Sequence, residues 1–154
     1  MSLSTRFRPL VAIIFIAYYV HPTLGYGQNS LKNDATPCPG PTEITAQHLY
    51  GQWEARWTGV DAPAPLHFGR DPEHPDGVRG SLRRGNGDVL IAGDVDDEGV
   101  FTLEESADGR RIDATWVGEV IDGACGREIR GDWTPANGSS APRRFVLRKL
   151  PGWQ

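Results

Sequence analysis

The sequence predicts an all-β protein: a single eight-stranded antiparallel up-and-down barrel behind an N-terminal signal peptide. Three observations carry this prediction. From Leu49 onward apolar and polar residues alternate, and turn-forming residues recur at short spacing, the pattern of half-buried strands joined by hairpins. An apolar-x-Gly-x-apolar pattern occurs five times, centred on Gly51, Gly80, Gly93, Gly118 and Gly131. No run after residue 45 has sustained helical periodicity.

The elements follow in order. Arg6 and Arg8 precede an apolar run from Leu10 to Val20, and small residues follow at Thr23, Gly25 and Gly27. Eleven apolar residues are too few for the about 20 that span a bilayer. Residues 1–27 therefore read as a secretory signal peptide cut near Gly25 or Gly27. Residues 28–45 are polar, with Pro37, Pro39 and Pro41 around Cys38, and form an extended leader. Ile44 to His48 has the composition of one helical turn. The barrel domain spans 46–154, with strands at 49–57, 65–70, 77–84, 88–95, 99–106, 110–121, 126–134 and 143–150. Gly85-Asn86-Gly87, Asp96-Asp97-Glu98, Ala107-Asp108-Gly109 and Asp122-Gly123-Ala124 are short turns, because Gly, Asn and Asp tolerate positive φ. Eight strands joined this way can close on themselves and leave no exposed edge.

Alternation also assigns faces, since residues two apart in a strand share one. Each glycine of the repeated motif falls between apolar neighbours on the inner face, where it marks a bend or a close backbone approach. The open, upper end is expected to be lined by Trp57, Leu66, Leu82, Val89, Glu105, Ile112, Trp133 and Phe145. Such a barrel either is filled by its side chains or holds one small ligand. Both alternatives stand, as do two roles for Glu105: orienting a ligand, or reaching solvent at its strand end. Chain direction puts Cys38 and Cys125 at the same, lower end, which makes a disulfide geometrically sensible. In an oxidising compartment two cysteines most simply pair, and closing so long a loop contributes about 4 kcal/mol in the chain-entropy account.

The opening Gly51-Gln52-Trp53, with Arg148 in the last strand, resembles the signature of the calycins, the superfamily of lipocalins, fatty-acid-binding proteins and avidins. The resemblance implies that Trp53 packs under Arg148 and closes the lower end by a cation–π contact. Ala114-Thr115-Trp116-Val117-Gly118-Glu119-Val120 and Arg127-Glu128-Ile129-Arg130-Gly131-Asp132-Trp133 are similar to the sixth and seventh strands of avidins. Glu54-Ala55-Arg56-Trp57 stands where avidins carry small hydroxyl and amide residues, so biotin binding is not implied. Leu49-Tyr50-Gly51-Gln52-Trp53 also resembles the opening of small periplasmic metalloprotease inhibitors, which act through a flexible N-terminal segment. Residues 28–37 would be that segment here.

Composition narrows the function. The chain holds 16 basic and 20 acidic residues, a net charge of −4. Loss of the signal segment, with Arg6 and Arg8, leaves it more acidic still. That balance argues against nucleic acid and against an anionic membrane surface as partners. No nucleophile–base pairing stands out, since Ser81 and Ser106 have no histidine partner in sequence, so no catalytic residue and no cofactor is assigned. Asp94, Asp96, Glu98, Gly99 and Glu105 partly follow the spacing of a calcium loop. They read better as an acidic hairpin, because strands rather than helices flank them. His67 and His74, with Asp71, Glu73 and Asp76, read as solvated loop polarity rather than a metal site. The expectation is an exported, secreted or periplasmic, non-enzymatic protein. Its partner is a small apolar or aromatic ligand at the upper end, or alternatively a protease.

Overall fold

Hairpin chemistry decides the topology. In the computed structural model, which describes residues 38–85 and 87–152, every strand pairs antiparallel with its sequence neighbours, and the first pairs with the last. The strands are β1 (Gly51–Trp57), β2 (Ala64–Arg70), β3 (Gly77–Arg84), β4 (Gly87–Val95), β5 (Val100–Ser106), β6 (Ala114–Val120), β7 (Glu128–Pro135) and β8 (Arg143–Lys149). The barrel is therefore closed, as the alternation predicts. Ahead of it lie a 3-10 turn at Pro41–Glu43 and a short helix α1 (Ala46–Leu49). The signal peptide and the 28–37 segment fall outside the described residues.

The sixth strand starts later than its sequence pattern predicts. Asp108 Oδ1 accepts the amide N–H groups of Arg110 and Arg111, each at 2.9 Å, and Asp113 Oδ2 accepts that of Ala107 at 2.7 Å. These side chains offer the backbone an alternative to the ladder, so residues 107–113 stay in the connection. Ile112 consequently lies on the surface, 46% exposed, instead of lining the interior.

Inside, the barrel is filled. Trp53, Phe68, Phe101, Trp116 and Phe145 are all at most 2% exposed. Trp53, Phe68 and Phe101 make successive edge-on contacts at 5.9 and 6.1 Å in the lower half. Trp116 meets Phe145 at 4.8 Å and Trp57 at 5.0 Å in the upper half. Each such aromatic pair adds about 0.5–1.5 kcal/mol beyond its buried area. Leu66, Leu82 and Phe145, expected at an open mouth, are instead core residues, 1–3% exposed.

The repeated glycines let neighbouring backbones approach closely enough to hold these rings. A methyl group at Gly80 would lie 1.7 Å from the His67 carbonyl oxygen, at Gly93 2.0 Å from that of Thr102, and at Gly131 2.0 Å from that of Val117. At Gly118 it would meet the Arg130 oxygen at 2.6 Å and the Phe145 ring at 2.9 Å. The fifth motif differs: Gly51 has φ +121 and enters β1 from the helix cap.

The lower end is closed by α1. Leu49 is fully buried, Ile44 and Ala46 nearly so, and the Trp53 indole N–H donates to the Leu49 carbonyl at 2.7 Å. Cys38 and Cys125 form the disulfide, 87 positions apart in sequence and with Cα atoms 4.9 Å apart. It ties the start of the described chain to the β6–β7 connection at the end sequence topology predicts. The basic residue over Trp53 is not Arg148. In the β1–β8 register Trp53 faces Lys149, while Arg148 faces Glu54. Lys149 Nζ stands 5.9 Å from the Trp53 ring and donates to the His48 carbonyl at 2.5 Å. Arg148 points outward to Glu128 at 3.1 Å. One step along a strand reverses the face, and that step separates the expected residue from the observed one.

A Gly93→Ala change forces backbone apart where strands β4 and β5 touch. We expect a loss of about 1–3 kcal/mol, the usual cost of overpacking, read as a lower urea midpoint. Gly87→Ala, with nothing within 4 Å of the added carbon, should move the midpoint little. Equal midpoints for the two variants would refute the close-approach role of Gly93.

Candidate functional site

At the upper end, alternation continues one step beyond the aromatic core and reaches charge. β3 runs from Leu82 to Arg84, β5 from Leu103 to Glu105, and β8 begins at Arg143, two residues before Phe145. Glu105 is 3% exposed, so it does not reach solvent. Its Oε1 atom accepts three hydrogen bonds: from the Trp116 indole at 2.7 Å, the Trp133 indole at 3.0 Å and the Arg84 guanidinium at 2.9 Å. Three strands besides its own are thereby tied to one carboxylate oxygen. Bonds to a charged acceptor contribute about 1.5–3 kcal/mol each against an unpaired state, more than neutral ones.

Arg84 is held on three sides. Its guanidinium carbon lies 4.9 Å from the ring centroid of Trp57 and 4.9 Å from that of Trp133, with Glu105 as counter-ion. Cation–π contacts contribute about 0.5–1 kcal/mol at exposed sites and more when desolvated. Arg84 is partly exposed (39% of its side chain), so it forms the floor of the mouth rather than part of the core. Above it is a depression of about 210 Å³ lined by Trp57, Val60, Arg84, Trp133 and Arg143. The Trp57 indole N–H is buried and has no acceptor among the described residues. Leaving such a donor unpaired costs about 1–3 kcal/mol.

Of the residues expected at the mouth, the structure brings Trp57 and Trp133 to the depression and places Glu105 beneath it. Leu66, Leu82 and Phe145 lie deeper, and Ile112 lies outside. Sequence reasoning missed Arg84, Arg143 and Val60. Arg84 and Arg143 lie one alternation step from Leu82 and Phe145, and that inward parity is the signal that could have found them.

The other candidate clusters disperse. Asp96 serves its own hairpin, accepting the Glu98 and Val100 amides at 3.0 and 2.8 Å, while Glu105 sits at the far end of β5. Asp71 is buried and caps its loop through the Glu73 and His74 amides, with Arg79 beside it at 3.3 Å. The hydrogen bond from the Glu73 amide holds the Asp71 carboxyl below its usual range, against the effect of burial. His67 lies on the outer face. Among the described residues no three His, Cys, Asp or Glu side chains gather in a metal-binding arrangement, and none of the helices is long and apolar enough to cross a membrane. No known protein family matches the chain, and no curated protein aligns with it.

Burial pushes the Glu105 carboxyl above its ordinary value, and Arg84 and the two indoles only partly pull it back. The folded state therefore holds this proton more tightly than the unfolded chain does. Stability from this group is complete below the unfolded value and is lost as pH rises through the folded one. Wild type should lose stability relative to Glu105→Gln across that interval and run parallel to it on either side. Removing the counter-ion in Arg84→Ala should raise the carboxyl further and cost about 1–3 kcal/mol. Carbon-detected NMR of the Glu105 carboxyl checks both, and a midpoint below the model-peptide value of about 4.3 would contradict the assignment.

Proposed function

We propose that this chain is an exported, non-enzymatic binding protein whose upper rim holds one small aromatic group. The observation that carries the reading is the depression over Arg84, walled by the Trp57 and Trp133 indoles. Aromatic walls with a few polar groups are the usual make-up of a ligand site. Size limits the ligand. Cavities of about 150 Å³ accept benzene, whereas drug-sized ligands occupy about 300 Å³ or more. A depression of about 210 Å³ suits a single ring with a short substituent. A lipid or other long apolar ligand has no place in an interior already filled by Trp53, Phe68, Phe101, Trp116 and Phe145.

A calycin-like relationship and export belong to the same proposal. Gly51-Gln52-Trp53 opens β1 and a basic residue of the last strand, Lys149, stands by the tryptophan. The Cys38–Cys125 disulfide suits an oxidising compartment, secreted or periplasmic, and Leu10 to Val20 has the form of a signal-peptide core.

The test uses benzyl alcohol, a neutral single ring, and the indole N–H resonances of ¹⁵N-labelled protein. We expect saturable shifts at Trp57 and Trp133, with Trp53 unmoved in the closed lower half. Trp133→Ala should weaken the response at Trp57 by about tenfold, the effect of losing one aromatic wall of about 1.4 kcal/mol. Shifts spread evenly over all indoles, or none at either rim tryptophan, would sink the reading.

A further inference from the structure

The rim carries an imbalance of charge that a neutral ring leaves unanswered. Two arginines line the depression, and no carboxylate does. The charge of Arg84 is already met by Glu105 at 2.9 Å. Arg143 differs. It stands opposite Trp133 in the β7–β8 register, at the edge of the same depression. No acidic side chain lies within ion-pair distance of it among the described residues. Its neighbour Arg144, on the opposite face of β8, is paired with Asp132 at 3.0 Å. In a chain of net charge −4, the mouth of the barrel is thus locally positive.

A second observation is independent of charge. Trp57, which walls the depression, has a buried indole N–H with no acceptor among the described residues. The rim therefore offers a ring-sized apolar wall, which includes the indole with the unpaired, buried N–H, and an uncompensated guanidinium. An aromatic ring that carries acceptor oxygens answers both the wall and the guanidinium. A cationic ring meets two arginines and is repelled, and a neutral ring leaves Arg143 unpaired.

We propose that the rim selects a small aromatic carboxylate, with its ring against Trp57 and Trp133 and its carboxylate toward Arg143. The inference rests on the reading of the rim as an aromatic-ligand site, and sharpens it to an anionic class. Arg84 keeps its pair with Glu105 and supplies the flat floor on which the ring rests. Arg143 supplies the charge that distinguishes an acid from its amide.

The experiment titrates ¹⁵N-labelled protein at pH 7 and low ionic strength with benzoate, benzamide and benzamidinium, which share a ring and differ in charge. We expect benzoate to shift the Trp57 and Trp133 indole resonances at a half-saturating concentration about threefold or more below that of benzamide, the range of a solvent-exposed charge pair. Benzamidinium should shift neither. Added salt should erode the preference for benzoate. Arg143→Gln should bring benzoate down to the level of benzamide in wild type, and Arg143→Lys should retain part of the preference. If benzoate and benzamide shift the rim resonances equally, the anionic inference falls and the aromatic site stands. If none of the three shifts them, the site reading falls and the inference with it.

Discussion

An eight-stranded barrel encloses a space about as wide as the side chains that fill it. Every feature of this molecule depends on how that space is divided. Four inward glycines, Gly80, Gly93, Gly118 and Gly131, let carbonyl oxygens of neighbouring strands come where a Cβ would otherwise stand. The room released by the missing side chains is taken by five large rings from β1, β2, β5, β6 and β8. Glycine and indole are thus two halves of one packing solution. The cost is the conformational entropy of glycine in a strand, about 0.5–1 kcal/mol at each site. The return is the burial of Phe and Trp side chains, whose transfer is worth about 1.5–3 kcal/mol apiece.

The two ends of this packed column are finished differently. Below, α1 and Leu49 cover the aromatic stack, the Trp53 indole finds the Leu49 carbonyl, and Lys149 stands beside the ring. Among the described residues, no buried polar side-chain atom is left unpaired there. Above, the finish is ionic: Glu105 gathers two indole N–H groups and a guanidinium onto one oxygen. A buried carboxylate is expensive unless it is fully engaged. Glu105 meets that condition only because Trp116, Trp133 and Arg84 converge from three other strands. Arg84 in turn lies against Trp57 and Trp133, so the charge that stabilises the carboxylate also roofs the core. The upper end remains a shallow mouth where the lower is a plug.

Strand alternation made the fold legible. Side chains switch face with every step, so the number and order of the strands, the closed meander and the shared end of the two cysteines follow from local pattern. The same reasoning faltered where an element is not what its residues suggest. Residues 110–113 alternate acceptably, but Asp108 and Asp113 capture backbone amides and remove them from β6. Arg148 has the right chemistry to stand over Trp53, yet the register gives that place to Lys149. Arg84 and Arg143 have inward parity, yet neither was among the residues expected at the mouth. For β6 the missing information was a set of local side-chain hydrogen bonds, and for Lys149 a register between segments far apart in the chain.

The sequence by itself determined an eight-stranded antiparallel barrel with one disulfide and an aromatic inner face, because period-two alternation, turn chemistry and the buried glycines are local properties. Tertiary structure alone decided that the interior is filled, that Glu105 is a buried hub and that the mouth is lined by two arginines. Those outcomes depend on volume and on convergence. Whether a glycine leaves a void or admits a ring depends on which residues face it across the barrel. Whether a carboxylate is a solvent-exposed rim group or an ionic tie depends on donors from other strands. Closure of the barrel brings those residues together.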